Sequence, residues 1–422
     1  MKNRERRLGR GVAVVGAGMS KFGMFEDRDS LNLFSEAYQE TLSSVDKGID
    51  PRDIEAVYFG NFASEFFVHQ GHWGPILADL LGHTPKPCTR IEGACAAGAA
   101  AFREGVFAIA SGFYDVVLVG GVEEMSKCST PVATEGLALG GFIDEARTGF
   151  TFPGLYGTRA VAYFNKYGVN REHLMPVTIK SHRNAAMNPK AQFALSIRDV
   201  MNNKIERAQK KGDPLPDWDD EMDFLRDPRA NPVISWPMHL YDCCPISDGA
   251  GCIILVAEEI ARHYTDEPVF VVGLGQGSSH GLSSSRNLTS LEGVKYAASE
   301  AYEISGLAPD DIQFAEVHDC FSIAEVIATE DLGFFPRGEG YKAAAAGLTA
   351  LEGPKPINTS GGLKCKGHPV GATGTAQLLE VWTQLRGKAG PRQIPNPNLA
   401  IGAAHNVGGH GGTCVVTILE RR

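Results

Sequence analysis

The sequence predicts an α/β protein built from two similar halves. Short apolar runs alternate with segments of helical spacing, and the second half of the chain repeats the order of the first. Glycines are numerous, 49 in 422 residues, and they cluster where predicted strands meet predicted helices. Apolar runs that alternate with helices are typical of an α/β fold. Glycine at the junctions lets backbone approach a ligand or another backbone closely.

The first half contains a buried strand at Gly11–Gly18 and a helix at Leu31–Val45, whose apolar residues recur at helical spacing. A turn opens at Pro51 and leads into a strand at Ala56–Phe59. The remaining predicted elements are a helix at Gly71–Leu81, an Ala-rich helix that begins at Cys95 and a buried strand at Asp115–Val122.

The second half replays this order. Pro268–Gly275 echoes the first strand and Ser290–Ile304 echoes the first helix, while a turn at Pro309 repeats the one at Pro51. A repeat offset of more than half the chain indicates a duplicated domain rather than a solenoid. The last predicted elements are a Gly/Ala-rich helix start at Gly367–Leu385 and a closing strand at Thr413–Leu419. Two copies side by side would meet at their strand ends, where α/β sheets bind ligands.

These patterns divide the chain into four stretches. Residues 1–127 form the N-terminal half, 128–243 form an insertion, 244–267 hold the last strand of the first half, and 268–422 form the C-terminal half. The insertion is expected to cover the site from one side. Its polar tract Arg207–Arg229 predicts an exposed excursion.

Composition excludes several classes of protein. A net charge of −10 argues against a general nucleic-acid or membrane-surface binder. The basic start Lys2–Arg10 is not followed by a long apolar stretch, and no apolar run reaches 18 residues, so we expect a cytoplasmic protein. The nine cysteines show no repeated CxxC pairing, which predicts neither a zinc site nor a disulfide framework. Gly16–Gly18 is not a dinucleotide-binding loop, because Lys21 occupies the position of the third glycine.

Four segments could converge at the junction of the halves. Cys95 lies at a predicted helix start, where free N–H groups and the helix dipole would lower the pKa of its thiol, although a small cysteine in a tightly packed helix is the alternative. His318 and Cys320 would project the same way from an extended strand end. His368, between Gly367 and Pro369, lies at a predicted helix start, and His405–Gly412 is a glycine loop suited to presenting N–H groups to an oxyanion. The set favours nucleophilic catalysis over a metal site.

These residues resemble the thiolase superfamily, in particular the sterol-carrier-protein-2 type. The resemblance rests on the Cys95 helix, His318-Asp319-Cys320-Phe321, Gly367-His368-Pro369 and the His405-Asn406 glycine loop. Ordinary thiolases carry Asn-Glu-Ala-Phe where this chain has His-Asp-Cys-Phe, and they have a late Cys-x-Gly. Here His405 stands near the place of that late cysteine and Cys414 lies beyond the loop, so Cys320 would supply the second thiol.

The resemblance implies a five-layered αβαβα thiolase fold, two similar halves, an inserted loop domain and a homodimer. Cys95 would be the acylated nucleophile, His368 would take its proton, and Cys320 would be the acid and base for the second substrate. His318 and His368 would donate to one thioester oxygen. The backbone N–H of Cys95, with one from Gly408 or Gly409, would form the other oxyanion hole. Coenzyme A is expected as substrate or product, with no permanently bound cofactor and no metal, and Cys244 and Ser247 would lie near its pantetheine arm.

The implied activity is that of a 3-ketoacyl-CoA thiolase or acyl-CoA C-acyltransferase in lipid or aromatic acid metabolism. A small zinc-ribbon and OB-fold partner is expected by likeness to archaeal acetoacetyl-CoA thiolases and to the thiolase subunit of benzoylsuccinyl-CoA cleavage. One alternative is a decarboxylating ketosynthase, against which Cys320 argues because those enzymes need no second cysteine. The others are an aldolase-type relative, against which Cys95 argues, and a non-catalytic subunit.

Overall fold

The computed structural model describes residues 7–422, so most of the basic start at Lys2–Arg10 lies outside the described residues. The strands are β1 Val12–Met19, β2 Ala56–Gly60, β3 Cys88–Ile91, β4 Val116–Glu123, β5 Val233–Ser235, β6 Met238–His239, β7 Gly249–Ala257, β8 Val269–Gly277, β9 Phe314–Glu316, β10 Ile401–Gly408 and β11 Thr413–Arg421. The helices are α1 Ser30–Ser43, α2 Ser64–Phe67, α3 Trp73–Leu80, α4 Ala97–Ala110, α5 Thr130–Ala138, α6 Ile143–Arg147, α7 Phe152–Tyr167, α8 Met175–Ala185, α9 Ile197–Lys211, α10 Glu221–Arg226, α11 Ala261–Tyr264, α12 Glu292–Ser305, α13 Ser322–Asp331, α14 Gly340–Ala345, α15 Gly362–Lys366 and α16 Thr373–Leu385.

Nine strands form one mixed sheet in the order β3-β2-β4-β7-β1-β8-β11-β10-β9, and β5 and β6 form a separate hairpin. The two halves of the sheet are joined where β1 and β8, the first strands of each half, pair antiparallel at Ala13–Phe270 and Val14–Val269. The second half therefore repeats the first about this junction, and the predicted α/β class is confirmed.

The layers follow from the packing of the apolar side chains. A core cluster lies between the two halves of the sheet. It contains residues of both half-sheets and of helices α4 and α16, including Phe102, Val106 and Leu378. A second cluster packs α1 and α3 on the outer face of the first half-sheet, and a third packs α12 and α13 on the outer face of the second. The order is thus helix, sheet, helix, sheet, helix, which confirms the five-layered arrangement.

The two central helices touch backbone to backbone. A Cβ on Gly98 of α4 would lie 2.6 Å from the carbonyl oxygen of Gly371, and one on Gly374 of α16 would lie 2.2 Å from the nitrogen of Ala99. Both distances are shorter than any van der Waals contact, so only glycine permits this approach. The contact brings the start of α4 beside the start of α16.

The predicted helix start at Gly367 is too early, since α16 begins at Thr373. Gly367 has a φ of +114°, and Pro369 disfavours helical dihedrals at His368 before it. A 3₁₀ turn at Val370–Ala372 then precedes the helix. His368 consequently lies in a loop between α15 and α16.

The inserted segment contributes α5 to α10 and the β5–β6 hairpin. The prediction of an exposed excursion at Arg207–Arg229 is wrong in part: residues 209–215 are exposed, but α10 lies within the tract and buries Phe224 and Leu225 against Met175 of α8. Two adjacent apolar residues give α10 a face that packs on its neighbours.

No described helix has both the length and the apolar character that a membrane crossing requires. Within residues 7–422 no three His, Cys, Asp or Glu side chains are grouped as metal ligands would be.

Candidate active site

Cys95 lies in a 3₁₀ turn, Ala94–Ala96, that leads into α4. Its side chain is buried, and its sulfur accepts hydrogen bonds from its own backbone N–H and from that of Gly409. Gly408 lies beneath the turn, where a Cβ would come 2.1 Å from the carbonyl oxygen of Gly93. Of the two predicted oxyanion glycines, Gly409 therefore presents its N–H to the Cys95 sulfur. Gly408 has no side chain, and this allows the loop to pack directly against the backbone of Gly93.

The expectation of a lowered thiol pKa at Cys95 is wrong. Burial raises the pKa of Cys95 to about 12, and the two backbone N–H groups offset only part of this effect. The negative charge of Glu123 also raises it. Desolvation outweighs the helix start here, so Cys95 is a neutral thiol, and it would need a base to act as a nucleophile.

His368 can serve as such a base. Its Nδ1 lies 2.7 Å from the hydroxyl of Thr373, and that hydroxyl gives its own proton to the carbonyl oxygen of Pro369 at 2.8 Å. Nδ1 must therefore be the protonated nitrogen, which leaves the lone pair on Nε2. Burial, reinforced by the charge of Lys366, lowers the pKa of His368 to about 3. The imidazole is neutral at physiological pH.

His318 carries the opposite tautomer. Its Nδ1 accepts a hydrogen bond of 3.0 Å from the side-chain amide of Asn406, so its proton resides on Nε2. Its backbone N–H donates to Nδ1 of His405 at 3.3 Å. Burial and the neighbouring His368 and His405 hold the pKa of His318 well below its usual range. The rings of His318 and His368 meet edge to face with centroids 5.1 Å apart. One imidazole is thus a donor and the other an acceptor.

Cys320 completes the set of four predicted catalytic side chains. It lies buried four residues beyond the end of β9, and its carbonyl oxygen accepts the backbone N–H of Cys244 at 2.9 Å. Burial raises the pKa of Cys320 well above its usual range, and the nearby Cys95 adds to the effect. The structure thus brings Cys95, His318, Cys320 and His368 into one region, as the spacing of the motifs predicts.

The two predicted coenzyme A contacts have different surroundings. Cys244 is half-buried and close to both Cys95 and Cys320. Ser247 is fully buried, and its hydroxyl donates to the side-chain oxygen of Gln192 at 2.6 Å while it accepts the backbone N–H of His368 at 2.9 Å. The structure assigns Ser247 to holding His368, with no free face for a ligand.

Sequence reasoning missed several side chains that support the site. Asn406 and Thr373 fix the tautomers of the two imidazoles. Glu123 accepts the backbone N–H groups of Phe62, Ala63 and Gly371, and so joins the loops on either side of Cys95. Burial raises the pKa of Glu123 to about 7. The partners of Asn406 and Glu123 are distant along the chain, which is why local patterns did not indicate them, whereas Thr373 lies only five residues after His368 and its contact depends on the loop that precedes α16.

Comparison with known families and proteins agrees with this geometry. Residues 12–259 match the family described as "Thiolase, N-terminal domain", and residues 275–421 match "Thiolase C-terminal domain-like". An acetyl-CoA acetyltransferase of Methanothermobacter thermautotrophicus is 40% identical over 98% of this chain and 100% of its own length. Sterol carrier protein 2 of Homo sapiens is 32% identical over 97% of this chain and 72% of its own length.

Solved structures show the same fold. One of them, described as "Ltp2-ChsH2(DUF35) aldolase", superimposes with a TM-score of 0.74 at 23% identity over 98% of both chains. Human mitochondrial 3-ketoacyl-CoA thiolase in complex with CoA superimposes with a TM-score of 0.69 at 19% identity over 99% of this chain and 100% of that one. The two family matches together span nearly all the described residues, and the fold agrees with them. The chain therefore belongs to the thiolase family of CoA-dependent acyltransferases.

Proposed function

We propose that the chain is a 3-ketoacyl-CoA thiolase, or acyl-CoA C-acyltransferase, which works through an acyl thioester on Cys95. The observation that carries the proposal is that one region holds a neutral buried thiol and a neutral imidazole whose free lone pair is on Nε2, since Cys95 shares an apolar cluster with Val370, two residues after His368. A thiol and a base in these forms are ready for proton transfer during attack on a thioester carbonyl.

In the first step His368 takes the thiol proton while the Cys95 sulfur attacks the carbonyl carbon. The tetrahedral oxyanion accepts the N–H groups of Cys95 and Gly409, which already face this sulfur. Collapse of the intermediate expels the leaving group, a CoA thiolate in condensation or an enolate in cleavage, which takes the proton of Cys320 and leaves that residue a thiolate. The acyl group stays on Cys95, and His368 keeps its proton until it returns it to the Cys95 thiolate released in the second step.

In the second step Cys320 handles a different proton. For condensation its thiolate removes the α-proton of a second acyl-CoA, and the resulting enolate carbon attacks the acyl-Cys95 carbonyl. For cleavage Cys320 protonates the departing enolate and then takes the proton of the CoA thiol. Nε2–H of His318 supports an enolate oxygen, because its tautomer makes it a donor.

The remaining expectations belong to the same proposal. Coenzyme A enters as substrate and leaves as product, with Cys244 beside the reacting sulfurs. A homodimer is supported by β3, which lies at an edge of the described sheet with β2 as its one neighbour. A small zinc-ribbon and OB-fold partner is supported by the likeness to the Ltp2-ChsH2(DUF35) aldolase, whose name joins two components. Cytoplasmic location and the four domain boundaries stay predictions from the sequence.

The direct test is intact-protein mass spectrometry after mixing the chain with acetyl-CoA and, separately, with a panel of 3-ketoacyl-CoAs. We expect a mass gain of one acyl group that disappears in Cys95→Ala and persists in Cys88→Ala, which removes a half-buried thiol on β3. The most reactive panel member identifies the preferred acyl group. An adduct that survives in Cys95→Ala would contradict the proposal.

A second prediction separates the two steps. Cys320→Ala should still acylate at Cys95 but lose carbon–carbon bond exchange by about 10²-fold or more, since it lacks the second acid and base. Cys414→Ala is the matched control, because Cys414 is also buried but its thiol donates to the carbonyl oxygen of Gly411 in the turn between β10 and β11. Full turnover in Cys320→Ala would give Cys320 a packing role only.

A further inference from the structure

The inserted segment brings a tyrosine to the second cysteine of the site. Tyr156 lies in the second turn of α7 and is 2% exposed. Its ring stacks on that of Phe321, with centroids 4.7 Å apart and planes inclined by 26°. Phe321 follows Cys320 directly, and Tyr156 and Cys320 belong to one buried cluster, in which the hydroxyl of Tyr156 lowers the pKa of the Cys320 thiol. The stacked ring fixes the hydroxyl at this position.

The next buried tyrosine on the same face of α7 shows what an ordinary structural hydroxyl does there. Tyr163 lies seven residues, or two turns, further along and is also fully buried. Its hydroxyl donates to a carboxylate oxygen of Glu330 at 2.5 Å. Tyr156 has the same setting on the helix, but its partner is a thiol next to the proposed nucleophile. The hydroxyl of Tyr156 therefore acts on a sulfur that the proposed reaction uses.

The surroundings of Cys320 otherwise oppose a thiolate. The titratable groups that face it are Tyr156 from α7, Cys95 from the turn before α4, Asp319 beside it, and Cys243 and Cys244 from the segment before β7. Burial, Cys95, Asp319 and Cys243 all raise the pKa of Cys320, whereas the hydrogen bond from Tyr156 lowers it. A donor to a buried thiolate is worth most where the medium is otherwise apolar.

A fixed cation lies one turn further along α7. Arg159 is 1% exposed, and its guanidinium donates to the carbonyl oxygens of Leu288 and His410 at 3.2 Å each. Its positive charge acts on Tyr156 and favours negative charge near that residue. Tyr156 keeps its proton nonetheless, because burial raises its pKa well above the usual range. The hydroxyl is therefore a permanent donor.

We propose that Tyr156 is a catalytic residue whose hydroxyl donates a hydrogen bond to the Cys320 sulfur and stabilises it as a thiolate. The inference rests on the proposed function, in which Cys320 moves the α-proton. When the thiolate takes that proton, an S–H bond forms, the C–H bond breaks and the electron pair moves to the thioester oxygen as an enolate. The hydroxyl of Tyr156 donates throughout and transfers no proton.

The test compares Tyr156→Phe with Tyr163→Phe. Tyr156→Phe keeps the ring that stacks on Phe321 and removes only the hydroxyl, whereas Tyr163→Phe removes an equivalent buried hydroxyl away from the sulfurs. The first readout is the pH dependence of Cys320 alkylation by iodoacetamide, followed on the Cys320 peptide by mass spectrometry. We expect the profile of Tyr156→Phe to move about one to two pH units higher, and that of Tyr163→Phe to match the native chain.

The second readout separates the half-reactions. We expect Tyr156→Phe to acylate Cys95 at the native rate and to lose about 10- to 100-fold in kcat for carbon–carbon bond exchange, with KM unchanged. An unshifted alkylation profile in Tyr156→Phe overturns the inference, and so does a loss of Cys95 acylation without such a shift, which would assign the hydroxyl to packing. Full turnover in Cys320→Ala would instead refute the proposed role of Cys320, so the two failures are distinguishable.

Discussion

At the scale of single residues, the two imidazoles of the site differ in the nitrogen that bears the proton. Thr373 holds the proton of His368 on Nδ1, whereas Asn406 holds that of His318 on Nε2. The Thr373 hydroxyl already donates its proton to Pro369 and can only accept from His368, whereas the amide N–H of Asn406 can only donate to His318. Two histidines can thereby serve different purposes, one as a hydrogen-bond acceptor and the other as a donor, and neither ring is charged.

The charge state of Cys95 and His368 makes a prediction about pH. His368 has a pKa of about 3 and Cys95 a pKa of about 12, both shifted by burial, so neither changes protonation between pH 5 and pH 9. Glu123, whose pKa is about 7, titrates within this range, so we expect the single-turnover rate of Cys95 acylation to show no pH dependence that requires His368, and to fall by about 10²–10⁴-fold in His368→Ala.

Rapid-quench mass spectrometry at several pH values measures this rate directly. A thiolate–imidazolium pair, in contrast, would give the native chain a rate that falls steeply toward the acid side. An acylation rate that falls toward low pH with a midpoint near pH 6 in the native chain, but not in His368→Ala, would contradict the assignment of Cys95 and His368 as neutral groups.

At the scale of elements, the site depends on how closely α4 approaches α16. Cys95 lies just before the first helix and His368 lies five residues before the second. The contact at Gly98 therefore helps to set the separation of Cys95 and His368, the proposed nucleophile and base. Each helix is preceded by a single 3₁₀ turn, which is the clearest local sign of the duplication.

Gly98→Ala tests this contact. Replacing a helical glycine normally stabilises by about 0.5–1 kcal/mol, but overpacking costs about 1–3 kcal/mol, and here the new Cβ would lie 2.6 Å from a backbone oxygen that cannot rotate away. We expect a net loss of about 1–2 kcal/mol in the free energy of unfolding, together with slower acylation of Cys95.

Denaturant titration and acylation kinetics check both effects. Gly71→Ala is the control, since its new Cβ would meet nothing closer than the Glu65 side chain at 3.5 Å. Native stability and native acylation in Gly98→Ala would show that the helices can separate without cost.

Sequence patterns predicted the elements of the fold well, because the repeated Pro turns and the apolar runs are local features. They also indicated Cys95, His318, Cys320 and His368 through short motifs. The pKa of Cys95 was mispredicted because burial is a property of the folded whole. Tyr156 could not be found, since it precedes Cys320 by more than 160 residues and nothing in its own segment points to a thiol.

At the scale of the whole molecule, the two halves share one core. The central cluster contains Phe102 and Val117 from the first half and Leu378 and Leu419 from the second, packed around the two central helices. Neither half can bury its central helix without the other. The halves are therefore expected to unfold together.

Two buried tryptophans report on this cooperativity. Trp73 on α3 belongs to the first half and Trp382 on α16 to the second. In variants that retain one of them and replace the other three tryptophans by phenylalanine, we expect the fluorescence-monitored denaturation midpoint of each variant to coincide with the midpoint that circular dichroism gives for that same variant. A fluorescence transition of the Trp382 variant that precedes the circular dichroism transition of the same variant would show that the C-terminal half unfolds independently.

The antiparallel pairing of β1 with β8 bears on how such a chain arose. A single ancestral half would have to bury its central helix against a second copy of itself, so its folding would depend on concentration. Fusion of two copies replaces that encounter by a covalent connection and makes assembly independent of dilution. It also frees the copies to diverge, so that one now carries the sulfur and the other the imidazole at the corresponding end of its central helix.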